Sequence, residues 1–280
     1  MTQPDSMWLP PAAPSPTPQP PRESRLKRKL GPLGAIALLI AKFAAKLKAI
    51  LLLLPKLKVL STAGSMLVSV AAYALIWGWS FGAGFVALLF VHEMGHYIEM
   101  RREGIKPSWM LFIPFLGAAV AARSLGGSAL AEARIGLAGP ILGTLGTALL
   151  IPIAHSSGSD LLRALAFTGF FLNLFNLIPV VPFDGGRAMA AMAPWMWFLG
   201  FGAMLAFFIA FPNPILILFL LLGGTETWRR WKQRHSEDGN AAYYQVSPGA
   251  RLVVALVYVG LIAACAIGMH ATFVNQSHRI

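Results

Sequence analysis

The chain has 280 residues, of which 56% are hydrophobic and only 12% charged, and its mean hydropathy is +0.65. Soluble domains carry about 25% charged residues, so an ordinary water-soluble fold is excluded and lipid is the implied solvent. The net charge of +12 gathers beside apolar runs, at Arg22 to Lys29, at Lys56 to Lys58 with Arg101, Arg102 and Lys106, and at Arg229 to His235. Basic flanks of this kind mark cytoplasmic loops and meet anionic headgroups, and no nucleic-acid partner is expected. The single cysteine, Cys265, lies in an apolar run and reads as a small packing residue, with neither an intramolecular disulfide nor a thiolate metal site open to it.

In chain order, residues 1–30 form a tail that begins with a proline-dense tract, extended or disordered. Residues 31–58 are apolar but carry Lys42, Lys46 and Lys48. An ammonium at the bilayer centre costs about 2.5 kcal/mol or more, so an amphipathic helix lying in the interface is expected, ending at Pro55. Predominantly apolar spans follow at 59–78, 81–100, 134–153 and 161–181, each near the roughly 20 residues needed for a crossing. The run 195–222 is too long for one crossing and is interrupted by Pro212-Asn213-Pro214; two legs of a hairpin are expected there. A last span covers 250–269.

The fold class expected is an all-α polytopic membrane protein with about six or seven transmembrane helices, a metal-bearing core at 59–190 and additional helices at 191–280. Seven crossings place Arg101 to Lys106, Arg134, Arg187, Arg229 to Arg234 and Arg251 on one side, the positive-inside arrangement. Trp77, Trp79, Trp195, Trp228 and Trp231 then stand at span ends as an aromatic belt. Between the second and third spans, residues 107–127 contain Pro114, Gly117 and Arg123. Irregular backbone at membrane depth must face protein or water, which implies a re-entrant loop or β-hairpin.

The chemistry concentrates in His92-Glu93-Met94-Gly95-His96. Histidines at i and i+4 lie on one face of a helix, about 6 Å apart along the axis, and can share one Zn²⁺. Glu93 follows the first of them, where a carboxylate can take a proton from water. Intramembrane histidines and a glutamate are costly unless paired, coordinating or facing water. A third ligand is needed. Among the aspartates, only Asp184 ends an apolar span on the basic side, after Pro179 and Pro182, which unwind the helix end. Glu132 is a rival, though Arg134 beside it offers an ion pair. Glu99 and Glu103 share the histidine face but lie too far along it.

With these residues in place, the chain resembles the site-2 protease family of intramembrane metalloproteases over about residues 60–190. The likeness rests on His92 to His96, on Ala138-Gly139-Pro140 and on the run Asn176 to Gly186, which is similar to the family's Asn-x-x-Pro-x-x-x-x-Asp-Gly motif. It implies that His92, His96 and Asp184 hold Zn²⁺ and that Glu93 is the general base. It also implies that Asn176 donates to the developing oxyanion, with helix packing the other reading of Asn176 and of Asn173.

The activity implied is a zinc metalloendopeptidase that hydrolyses peptide bonds in or near transmembrane segments of membrane proteins. Its partners would be those substrates and the lipid bilayer. The expected location is the cell membrane, multi-pass, with the site toward the cytoplasm. A membrane metal transporter, or an inactive protease-like scaffold, is the alternative; either leaves Glu93 without a necessary role. No stretch long enough for a soluble peptide-recognition domain stands out, a departure from many family members. Gly139 and Gly143 read as a small-xxx-small packing pair, and Gly185 and Gly186 as a tight turn.

Overall fold

An apolar helix needs a stop signal as much as a start, and the first helices of this chain show both. The computed structural model describes residues 62–122, 127–234 and 242–273, all within the unit Val59–Ile280. The expected tail and interfacial helix lie outside the described residues, as does Arg123. Helix α1, Thr62–Trp77, ends at Gly78, whose φ of 85° lets α2, Trp79–Arg102, start at once. At the far end of α2, Gly104 takes a φ of 74° and the Ile105 N–H reaches back to the Met100 carbonyl at 2.9 Å. This is the left-handed cap that glycine favours.

The segment after α2 is a β-hairpin. Strand β1, Pro107–Ile113, pairs antiparallel with β2, Gly117–Ala122, with Met110 opposite Val120 and Ile113 opposite Gly117. A lone two-stranded ribbon is marginal in isolation. Here Met110 and Phe112 are buried in a cluster with Tyr73 of α1 and Val86 and Leu89 of α2.

Helix α3, Ala129–Ala148, is capped by Ser128, whose hydroxyl accepts from Ala131 N–H. It runs on into α4, Leu150–Ser157, and Ser159 caps α5, Asp160–Asn176. The span expected to reach 181 therefore stops five residues early, because the segment with Pro179 and Pro182 cannot continue a helix. Helix α6, Asp184–Met192, begins at the aspartate itself.

The long apolar run splits, as its prolines suggested, into α7, Met196–Ala210, and α8, Pro214–Arg234, which pack together. Asn213 Oδ1 accepts from Ile215 N–H at 2.9 Å and stabilises the new start. Helix α9, Pro248–Thr272, closes the set, with Ser247 as cap and Pro248 in its first turn, where a missing N–H costs nothing. Among the described residues, three helical runs, Trp79–Arg102, Ala129–Ser157 and Pro248–Thr272, are long and apolar enough to cross a membrane.

Helix α3 is the hub. It packs against α2 on one side and α6 on another, and α9 packs on α5, α3 and α6. Close approach of α2 and α3 depends on Gly95, where a Cβ would run into the Ala138 carbonyl. Cys265 is fully buried and its sulfur lies 3.3 Å from Thr144 Oγ1, a packing residue as expected.

Glu132 departs from expectation. It does not pair with Arg134, which reaches Glu103 instead at 3.2 Å. Glu132 is 1% exposed; its carboxylate accepts from Arg230 at 2.7 Å and from the Tyr243 hydroxyl. Burial, and then the adjacent Glu132 carboxylate, push the Tyr243 phenol far above its ordinary value, so it remains a donor.

Candidate metal centre

Three elements converge on one point. Helix α2 carries His92, Glu93 and His96 on its buried side. The C-terminal turn of α5 carries Asn173, and the start of α6 carries Asp184. His92 Nε2 and His96 Nε2 stand 3.1 and 3.2 Å from Asp184 Oδ2, and 3.2 Å from each other. Each residue offers one ligand atom, and the three atoms lie within 4.8 Å of one another. No other such group of three occurs among the described residues, so Glu132, held by Arg230 and Tyr243, is not part of the cluster.

The outer nitrogens decide the state of the inner ones. His96 Nδ1 lies 2.7 Å from the Ile135 carbonyl, which can only accept. His92 Nδ1 lies 2.8 Å from Asn173 Oδ1, and the same Asn173 donates its amide to the Gly169 carbonyl at 2.7 Å. Both Nδ1 atoms therefore carry the hydrogen, and in neutral rings both Nε2 atoms present lone pairs. Two lone pairs and a carboxylate oxygen facing one another repel. A proton on one nitrogen joins two of these atoms; a single cation among them joins all three. The donor set, two imidazoles and a carboxylate with both rings oriented from behind, fits a divalent metal of the zinc type.

Glycines make the room. A Cβ on Gly139 would collide with the His96 ring, and one on Gly143 would collide with Asn173. The small-xxx-small pair thus does more than bring helices together: it houses the His96 ring and the asparagine behind His92. Gly185 and Gly186 do not make a left-handed turn. They lie in the first turn of α6, where a Cβ would strike the backbone of Leu177 to Val181, so the requirement is close approach rather than φ. Trp197, fully buried, donates its indole N–H to the Gly186 carbonyl at 2.7 Å and holds that turn from behind.

The centre opens onto a cavity of about 410 Å³, lined by His92, Glu93, His96, Asp184, Asn176 and residues 115–120 of the hairpin. Glu93 is 5% exposed. Asn176 is half-buried, and its amide donates to the Leu172 carbonyl of its own helix at 3.1 Å. Asn173, not Asn176, touches the metal-site side chains. Sequence reasoning had both asparagines as possible packing residues and missed this one. Its only signal was a polar residue on an apolar helix one turn before Asn176. Glu99 and Glu103 lie away from the cluster, in ion pairs with Arg102 and Arg134.

Comparison with known proteins agrees with this geometry. Residues 80–159 match peptidase family M50, a stretch that includes both histidines, Glu93 and Gly139 but stops before Asp184. The chain is 33% identical over 129 residues to the zinc metalloprotease MJ0392 of Methanocaldococcus jannaschii, an alignment covering 44% of this chain and 37% of that protein. It is 32% identical over 145 residues to the putative zinc metalloprotease Rip3 of Mycobacterium tuberculosis, covering 46% of this chain and 35% of that one. The chain thus spans little more than a third of the length of these curated relatives.

Proposed function

We propose that this chain, a peptidase family M50 protein over residues 80–159, is an intramembrane zinc metalloprotease that cuts within or beside transmembrane segments of membrane proteins. The observation that carries the reading is the convergence of His92, His96 and Asp184 at one point of a cavity that Glu93 also lines. His92, His96 and Asp184 are the residues that would hold Zn²⁺. A zinc ion bound there would supply Lewis acidity, polarising the scissile carbonyl and acidifying water.

Glu93 takes the proton of the attacking water and delivers it to the leaving amine. Asn173 and the Ile135 carbonyl fix the ring orientations of His92 and His96, so each presents Nε2 inward. Asn176, on the cavity wall, turns its amide from Leu172 to the carbonyl oxygen of the substrate, where negative charge develops. A helical substrate shields its carbonyls in hydrogen bonds, so cleavage needs a segment that unwinds.

The arrangement in the bilayer follows the charge asymmetry. Seven crossings, with α7 and α8 as two legs, put Arg101, Arg102, Arg134 and Arg229 on the cytoplasmic side. This gives a multi-pass protein of the cell membrane whose site faces the cytoplasm.

A Glu93→Gln variant in reconstituted vesicles, with a substrate whose transmembrane helix contains glycine or proline, tests the reading. Zinc content should match the wild type while cleavage falls by about a hundredfold or more. Wild-type zinc transport that persists in Glu93→Gln, with no cleavage by either protein, would establish the transporter alternative.

A further inference from the structure

Helix α1 is inside-out. Its buried residues are Ser65, Ser69 and Tyr73, whereas Leu67, Val68, Leu75 and Ile76 are exposed. With Thr62 the polar residues fall at i, i+3, i+7 and i+11, one face of a helix. Three of the four hydroxyls accept hydrogen bonds from the segment Met110–Phe115. Met110 N–H donates to Thr62 Oγ1 at 3.2 Å, Phe112 N–H to Ser65 Oγ at 3.2 Å, and Phe115 N–H to Tyr73 Oη at 3.0 Å.

The spacing has a reason. In an antiparallel ladder alternate amides point away from the partner strand, and those at 110 and 112 point at α1. The next outward position is Pro114, which has no N–H to give. Ser69 Oγ, the hydroxyl between Ser65 and Tyr73, is buried with no hydrogen-bond partner. The hydroxyl row and the strand are thus matched in one register, with the proline opposite the unused rung. Helix α1 does for the outer edge of β1 what a third strand would do, and β2 is the strand left facing the cavity. Gly117, Ala118, Ala119 and Val120 line that cavity together with His92 and Glu93. The Tyr73 ring lies edge-on to Phe115 at the hairpin tip, with centroids 5.3 Å apart.

We infer that the hydroxyl row Thr62, Ser65 and Tyr73 sets the hairpin's position over the metal centre, and through it the register in which a substrate segment meets Glu93. The inference rests on the protease reading and adds positioning residues to it. None of the three hydroxyls belongs to the metal cluster. Because strand side chains alternate, a hairpin displaced by one residue along α1 would exchange the faces that line the cavity.

The test uses the full-length protein in vesicles with a helix-destabilised transmembrane substrate. Tyr73→Phe keeps the ring and removes one acceptor; Ser65→Ala and Thr62→Val remove the others, and Thr62→Ser retains its hydroxyl. Ser69→Ala, which removes the unused rung, is the control. Each loss should raise KM about fivefold and spread the cut to neighbouring bonds by mass spectrometry. It should leave kcat and zinc content within about twofold, while Thr62→Ser and Ser69→Ala behave as wild type. Amide exchange at Met110, Phe112 and Phe115 should quicken only in the variant that lost the matching acceptor. If wild-type protein cut nothing, the protease reading would fail, and the exchange pattern alone would then judge the row. Unchanged exchange in the three variants would overturn the inference. So would loss of zinc and kcat together with an unshifted cut, which would mean that the row only holds the fold.

Discussion

Gly139→Ala separates the folding of this protein from the assembly of its metal centre. Gly139 lies in α3 against the His96 ring, where an added Cβ would come within 2.8 Å of Cδ2 and nearer still to Cε1 and Nε2. Ordinary contact begins near 3.4 Å, so the nearest ring atom must give by more than about 1 Å. It cannot simply swing away, because Nδ1 is tied at 2.7 Å to the carbonyl of Ile135, one turn earlier on the same helix. For stability, alanine gains about 1 kcal/mol of helix propensity over glycine, against about 1–3 kcal/mol for overpacking. The net loss is small, about 2 kcal/mol at most. For the centre, a ligand displaced by about 1 Å should weaken metal binding about 10- to 100-fold, the size of effect seen when a ligand's support is removed. Cleavage should fall by up to about 100-fold, as expected for misplacement near 1 Å. Chelator competition on detergent-purified protein measures the affinity, and thermal unfolding in the metal-free state measures the fold. Gly260→Ala in α9, where nothing lies within 4 Å of an added Cβ, is the control and should bind metal normally. Wild-type metal affinity in Gly139→Ala would refute the packing of His96 against α3, and with it the inward aim of its Nε2.

Asn173→Ala should lower metal affinity about 10- to 100-fold by freeing the His92 ring, whereas Asn173→Asp, which keeps an acceptor, should lose less; the same chelator competition reads both. Arg230→Ala should destabilise by about 3–5 kcal/mol, because it leaves the Glu132 carboxylate buried without its counter-charge; Glu132→Ala should cost less, because Arg230 keeps Glu226 at 2.8 Å. The double variant should lose clearly less than the sum of the two in detergent unfolding curves. A topology reporter fused after Trp231 should read as cytoplasmic and one placed between His155 and Asp160 as external; an external signal after Trp231 would mean that α7 and α8 form one crossing.

What was legible in the sequence was local. The i, i+4 histidines with the intervening glutamate put two imidazoles on one helix face by geometry alone. Asp184 followed from its place at an apolar span's end, and Pro212 to Pro214 marked the break between α7 and α8. The residues that were misread make their contacts far along the chain. Asn173 meets His92 across 81 residues, and Glu132 meets Arg230 across 98, while the charge nearest in sequence, Arg134, was a false lead. The hydroxyl face of α1 was hidden for another reason. Serine, threonine and tyrosine scattered at helical spacing barely lower the mean hydropathy of a span, so a scan for apolar length passes over them. The glycines show the same limit: sequence can mark a small residue, but not whether a neighbouring helix, an imidazole or a turn requires it.

The pairing of Glu132 with Arg230 and Tyr243 also sets a schedule for the making of the protein. Glu132 stands in the first turn of α3, and the ribosome supplies its guanidinium partner 98 residues later and its phenol partner 111 residues later. At about 5–20 residues per second, that is a wait of roughly 5–20 s, during which burial of the ionised carboxylate is unfavourable and the head of α3 stays near the aqueous boundary. The backbone of Ala129, at the same end of α3, is likewise claimed by the carbonyl of Tyr243 at 2.8 Å. Yet α3 supplies the carbonyl that orients His96 and the glycine that houses it. His92, His96 and Asp184 have all been synthesised well before α3 can settle beside them. A nascent chain therefore carries all three candidate ligands for several seconds before it has the wall that aims them, and maturation of the proposed centre is timed by the last third of the sequence.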